Sequence, residues 1–535
     1  MINPITIAWL LLPLLAAFLA ALLPVIARSA VVLTCLGTAA MALAAQQSWL
    51  PANLQLLGSL GITLRPDGLA APFLLLNALV CAAVLLDGWG QARSEAWPLL
   101  LLVLHGSVNS AIVAADLISI YVALEVVGIA TFLLLVLGGA RRQVWLGLRL
   151  MLVSNTVMLL FLIGCGLLYL EQRSFALAGV GQAGGLVLAL LAVALLTKAE
   201  VFVAGLWLPR TNAEGPLEVS ALLSGTVVSA GVVPLLRLSA EATSLLPVLR
   251  WLGIASAAAG VLLALLEPDL RRLLAWSTLA QMGLVVILPA VGGLYALAHG
   301  LAKAALFLLA RRIPDPALSG WRQRPLGPSL WWPLMLSSLS IAGLPPLLGF
   351  LAKEQLSNQL PGAAGWVVTA LGAGTVAVYA RIWGSPLSAP TARAVTAQSA
   401  APAGASAPDG PGVPTGATLL VAALALLSAS PWALPLWAAM DRQALTVAML
   451  KSASVFAAGL MLHRLLSASA PASARGPTPP APSGAASGSA LSTASGTGAT
   501  VPAPAWRPQL EGLDELLGAI VLLAAVLLGL LGWQP

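Results

Sequence analysis

LLAVALLTKAEVFVAGLWLPRTNAEGP, residues 190–216, decides the fold class. An apolar run leads into a single lysine, Lys198, then resumes beyond Glu200 and ends at Trp207–Leu208–Pro209 before a polar stretch. A lysine set in such a run needs either a very large core or a membrane. Composition decides between them. Of 535 residues, 59% are hydrophobic and 8% are charged, against about 25% charged in a soluble protein. With 26 Lys+Arg, 19 Asp+Glu and a mean hydropathy of +0.95, the chain cannot cover a water-exposed surface of this size. A soluble enzyme, a nucleic-acid binder and a secreted disulfide scaffold are excluded. The net charge of +7 is spread over short loops and forms no basic patch for nucleic acid. Cys35, Cys81 and Cys165 are scattered, with no metal or disulfide spacing. The chain reads as an all-α polytopic membrane protein.

A helix that crosses a bilayer needs about 20 apolar residues. Runs of that kind lie near 7–26, 30–46, 67–86, 97–115, 117–138, 145–170, 185–206, 219–239, 246–266, 273–291, 293–310, 332–352, 363–383 and 417–438, which makes fourteen core spans. A further span is expected at 516–533, and 445–466 reads either as a span or as an amphipathic helix along the membrane. The first run lacks a basic leader and is long for a signal peptide, so it is read as a helix of the protein. With the N-terminus outside, thirteen arginines fall in inside loops, against Arg65, Arg173, Arg237 and Arg250 outside. That asymmetry fixes the expected orientation. Residues 386–416 and 467–510 are almost wholly Ala, Pro, Ser, Gly and Thr, and are expected to be disordered linkers.

The ionisable residues left inside spans are few: Glu125, Arg149, Lys198, Glu200, His299, Lys303, Lys353 and Glu354, with Asp116 at the mouth of the fifth span. Each costs about 2.5–3.5 kcal/mol at mid-membrane, so each should face the protein interior or a water path. Glu125 lies nine residues beyond Asp116, roughly 13 Å deeper, as a proton or counter-ion site or a carboxylate satisfied locally through Tyr121. Lys198 can take up and release a proton when buried; the plain alternative is a snorkelling lysine. His299 and Lys303 share one helix face at i,i+4, a proton relay or a structural histidine beside a lysine. Lys353 follows Pro345–Pro346, a helix break of the sort tolerated where it lines a cavity, unless the lysine merely ends a helix at the interface. Glu200 and Glu354 are accessory candidates. Two Pro-interrupted, lysine-bearing spans, the seventh and twelfth, stand five helices apart. An odd offset inverts topology, so inverted five-helix repeats are expected over 97–240 and 241–385, after three N-terminal helices in 1–96.

WLPRTNAEGPLEVSALLSGTVVSAGVVPLLRL (207–238), DLISIYVALEV (116–126), DLRRLLAWSTLAQMG (269–283), AHGLAKAALFLLA (298–310) and IAGLPPLLGFLAKE (341–354) occur along the core. Together they resemble the antiporter-like proton-translocating subunits of multisubunit cation/proton antiporters and of respiratory complex I. LVLGGARRQ (135–143) most resembles the D-type antiporter subunit. The resemblance implies fourteen core helices with two inverted repeats. It pairs Glu125 with Lys198 in a first half-channel, joined through His299 and Lys303 to Lys353 in a second. There is one departure: the family often carries a lysine in its eighth helix where this chain has Ser229. A serine cannot hold a proton charge, which puts the link between half-channels in doubt. The expected function is proton translocation within a cation/proton antiporter; the alternative is the proton-pumping subunit of a complex I-type NADH/quinone oxidoreductase. Expected partners are other integral membrane subunits, protons, Na⁺ or K⁺, and the bilayer, in a bacterial plasma membrane. No cofactor or metal pattern is present, and the chain is not expected to act as an enzyme on its own.

Overall fold

The computed structural model describes residues 4–51, 53–57, 61–91, 94–313, 315–388, 414–430, 433–468 and 513–532. The expected linkers at 386–416 and 467–510 therefore lie largely outside the described residues. Helices α1 (Pro4–Leu22) and α2 (Ala27–Gln46) come first, then a hairpin of β1 (Leu54–Leu57) and β2 (Gly61–Leu64). The first half of the core continues with α3 (Ala70–Asp87), α4 (Ala96–Val113), α5 (Leu117–Val136), α6 (Arg141–Gln172) and α7 (Gly185–Lys198). After α7 come α8 (Leu208–Glu214), α9 (Leu217–Leu222), a π-turn at Leu223–Val227 and α10 (Val228–Glu241). The second half holds α11 (Leu245–Leu266), α12 (Leu270–Val286), α13 (Pro289–Ala310), α14 (Pro328–Ala342), α15 (Leu348–Gln359) and α16 (Ala363–Ala380). The C-terminal part holds α17 (Thr415–Leu427), α18 (Leu434–Ala438), α19 (Arg442–Ala468) and α20 (Leu513–Gly532).

Among the described residues, 11 helices are long and apolar enough to cross a membrane. The protein is polytopic and helical, as its hydropathy requires. Four of the fourteen expected spans are not single long helices, and the reasons are local. The 185–206 span stops at Lys198, where the backbone turns left-handed at Glu200 (φ 59°) and Phe202 (φ 52°). The 332–352 span splits around Pro345–Pro346 into α14 and α15. The 417–438 span splits into α17 and α18, and 273–291 is the 17-residue α12. The 445–466 segment is part of α19, a continuous 27-residue helix packed on α16. Hydropathy alone did not announce the hairpin, which pairs Leu54 with Leu64.

Burial sorts the helices into an inner and an outer set. The apolar windows of α13 and of the 217–241 helix are 94% buried, against 28% for α1. The outer helices leave Leu11, Leu15, Phe18, Leu152, Leu159 and Ile163 exposed, an apolar belt suited to lipid or partner helices. Between helices in lipid, packing rests on close approach of small residues. Two glycines do this where it matters. A Cβ on Gly231 of α10 would lie 2.6 Å from the Lys198 backbone, and one on Gly349 of α15 would run into the Ser340 carbonyl. Each holds a neighbouring helix against a break.

Candidate functional site

Lys198 is the last residue of α7. Because the helix stops there, its side chain turns into the seam between α5 and α6. Its Nζ donates to Ser154 Oγ at 2.5 Å and to the Leu124 carbonyl at 3.3 Å. Glu125 follows Leu124 in the chain, and the Lys198 and Glu125 charges interact. The break is pinned from outside: Phe202 N–H donates to Ser256 Oγ at 2.9 Å, and that hydroxyl donates to the Leu279 carbonyl at 2.9 Å. Beside the ammonium is a cavity of ≈ 30 Å³ lined by Gly128, Ser154, Trp207, Leu223 and Val227. That is room for a water molecule or two.

The second cluster lies around α13. Lys303 is fully buried; its Nζ donates to the Leu274 carbonyl at 2.6 Å and lies 5.6 Å from the Tyr379 ring centroid. The Tyr379 hydroxyl is 3.0 Å from Ser277 Oγ. His299, one turn earlier, is buried, and neither ring nitrogen has a hydrogen-bond partner among the described residues. Such a group is what a hydrated path would satisfy. His299 interacts electrostatically with both Lys303 and Lys353. Lys353 lies beyond the second break, and its Nζ donates to the Ala342 carbonyl at 3.3 Å. A cavity of ≈ 50 Å³ adjoins it, lined also by Glu354, Ser357, Lys451 and Ser452.

Two broken helices thus each place a lysine on a cavity, and α13, packed on α14 and α15, buries a histidine and a third lysine. Residues 114–378 match the family model described as NADH:quinone oxidoreductase/Mrp antiporter, TM. Over those residues the chain is similar to that family. It is 28% identical over 350 residues to the N subunit of the NADH-quinone oxidoreductase of Desulforudis audaxviator, covering 58% of this chain and 69% of the relative. Over 340 residues it is 28% identical to the D-type subunit of the Na(+)/H(+) antiporter of Alkalihalophilus pseudofirmus, covering 55% and 66%. Its fold is similar to a chain of the Mrp complex from Dietzia sp. DQ12-45-1b, with TM-score 0.69, 21% identity, and coverage of 86% of this chain and 99% of that one. A chain of respiratory complex I from Thermus thermophilus gives TM-score 0.64, 23% identity, and coverage of 79% and 96%. These structural neighbours are chains of multisubunit membrane complexes.

The remaining candidates separate by their contacts. Asp116 caps α5: its carboxylate accepts from Ser119 N–H at 2.8 Å and from Thr63 N–H at 2.7 Å, which ties the hairpin to the core. Its oxygens are engaged in structure. Glu200 is fully buried, and neither carboxylate oxygen has a hydrogen-bond partner among the described residues. Glu354 accepts from Asn358 Nδ2 at 2.9 Å and from Lys451 Nζ at 3.1 Å. Arg149 stacks 5.7 Å from the Trp145 ring centroid, a ring shared with Arg142 and Arg210, and those two pair with Glu214. Arg237, expected in an outer loop, is instead buried in α10 and bidentate to Asp67 at 2.8 and 2.9 Å.

Ser229 is buried in α10, and a polar contact between α8 and α12 lies in the π-turn before it. Asn212 Nδ2 donates to Ser224 Oγ at 2.7 Å, and Thr278 Oγ1 donates to Ser224 Oγ at 3.3 Å. Thr278 also reaches the Leu274 carbonyl, 3.1 Å away, which is the acceptor of Lys303. The π-turn carrying Ser224 lines the Lys198 cavity through Leu223 and Val227 and packs Gly225 on Ala304. Sequence reading missed Ser154, Ser224, Thr278, Tyr379 and Lys451. It also missed a buried chain in which Asn77 joins Thr226, His105 and Asn109, while Thr38 joins Asn109, His105 and Trp9. The polar run HGSVNS (105–110) inside an apolar span was the available signal for that chain.

Proposed function

We propose that this chain is a proton-translocating membrane subunit of a multisubunit cation/proton antiporter, in which protons move along Lys198, His299, Lys303 and Lys353 with Glu125 as charge partner of Lys198. One observation carries the reading: each of the three lysines presents its ammonium to a backbone carbonyl, of Leu124, Leu274 and Ala342 respectively. A buried lysine held by a carboxylate is costly to discharge, because loss of its proton strands a charge. One held by a carbonyl can give up its proton to a water in the adjoining cavity and recover it. Movement of a cation or of a neighbouring proton past Glu125 can shift the balance at Lys198. The path crosses from one cluster to the other where the π-turn brings Ser224 and Thr278 together. Inverted repeats over 97–240 and 241–385, an outside N-terminus and a bacterial plasma membrane complete the reading, with integral membrane subunits as partners and Na⁺ or K⁺ as exchanged ion.

The test is cation-dependent proton flux in vesicles that hold the whole complex. Lys198→Ala and Glu125→Ala should each abolish it while the complex still assembles; unchanged flux in either variant overturns the mechanism. Because relatives of both kinds stand at 28% identity, a proton-pumping subunit of a complex I-type oxidoreductase is the second reading. Purification with its partners separates the two, since iron–sulfur or flavin absorbance in the complex belongs to the second alone.

A further inference from the structure

The family match ends at residue 378, yet α19 (Arg442–Ala468), beyond it, supplies a charge to the second cluster. Lys451 Nζ lies 3.1 Å from Glu354 Oε2, 2.6 Å from Ser357 Oγ and 3.3 Å from Asn358 Oδ1. One residue on, Ser452 Oγ donates to the Gly343 carbonyl at 3.3 Å, at the helix break itself. Both residues line the cavity that holds Lys353. Glu354 is the one carboxylate among the described residues lining that cavity, and Lys451 occupies it. We propose that α19 completes the second half of the proton path, and that Lys451 is a positioning residue which keeps the Glu354 carboxylate from acting as counter-ion to Lys353.

The inference rests on the transport reading above and on charge. In the first cluster Lys198 works against Glu125; in the second, the carboxylate at the cavity is already neutralised by a second lysine. Were Lys451 withdrawn, Glu354 would share the cavity with Lys353 as a bare carboxylate and hold the Lys353 proton in place. The other titratable groups on the elements packed against α15 are Tyr295, His299 and Lys303 on α13 and Tyr379 on α16; α14 and α17 bring none. None of these is an acid that could substitute for Glu354 at neutral pH. The outward face of α19 leaves Val447, Leu450, Met461 and Leu465 exposed, while its inward face packs on α16 and carries Lys451 to the cavity.

The experiment is the pH profile of Na⁺- and of K⁺-dependent proton flux in vesicles carrying the complete complex. Lys451→Met should move the half-maximal pH up by about one unit, the effect of a nearby carboxylate on a cation, and Lys451→Arg should leave it in place. Adding Glu354→Gln to Lys451→Met should bring the profile back. Ser357→Ala with Asn358→Leu, which loosens the hold without removing the charge, should move the midpoint the same way by less; it replaces Lys451→Met if that variant does not assemble. An unmoved midpoint in these variants overturns the proposal and leaves Lys451 as an anchor of α19 only. Lys198→Ala, measured alongside, tests the transport reading separately: full flux in that variant defeats the reading whatever Lys451 does.

Discussion

A buried ammonium is useful to transport only if its surroundings stabilise the charge without trapping it. Ser154 matters for that reason. Its hydroxyl is 2.5 Å from Lys198 Nζ, while the Glu125 side chain makes no ion pair with that lysine among the described residues. Ser154→Ala removes a hydrogen bond to a charged group, of about 1.5–3 kcal/mol, so proton flux should fall roughly tenfold or more; flux within twofold of wild type would show that the hydroxyl is idle. Ser224 and Thr278 give a sharper test. Replacing them by Ala and Val together should cut flux through the link, and adding Ser229→Lys should restore part of it, since a lysine there could carry the proton the hydroxyls hand on. Failure of that rescue in an assembled complex would put the crossing elsewhere. The lysines were legible because a charge in an apolar run has few explanations. Their partners were not: Ser154 is 44 residues from Lys198, and only packing joins them. Lys451 was not legible for the same reason, since it is 97 residues from Glu354.

At the scale of elements, what was legible was the break and not its mechanism. Pro345–Pro346 announced the end of α14, whereas α7 stops well before Pro209, through two left-handed residues that no local signal marks. The close approaches at Gly231 and Gly349 show what holds these ends in place. Gly231→Ala would drive a methyl into the Lys198 backbone; overpacking of this sort costs about 1–3 kcal/mol. The variant should lose flux disproportionately to its loss of thermal stability, and equal, small losses in both would mean that α10 yields freely. The buried Arg237 is the second element-scale device, tying the end of α10 to the loop before α3 through Asp67 and the Arg65 carbonyl. Breaking a buried pair from one side strands the other charge, at about 3–5 kcal/mol. Asp67→Ala strands the arginine, whose side chain is 1% exposed, and Arg237→Ala strands an aspartate that is 29% exposed. The first should therefore lower the melting temperature of the purified complex more than the second, and the reverse order would contradict this placement of the charge.

Over the whole molecule, the low count of charges named the class, and the exceptions to it are the residues of the proposed path. The outer helices needed only hydropathy to be found; the inner ones were found by the same rule but are defined by what they bury, as α13 does with His299 and Lys303. The arrangement makes one further commitment. If Lys198 and Lys353 are stations on a single path, either loss interrupts it, and the two losses cannot add. Residues that act as a unit behave in this non-additive way, whereas two independent channels would each keep their own share. Lys198→Ala, Lys353→Ala and the double variant should therefore show the same residual flux, close to the background of vesicles lacking the complex. Should each single variant retain about half the flux and the double lose the rest, the clusters work in parallel, and the π-turn that carries Ser224 between them is a structural joint and not a crossing.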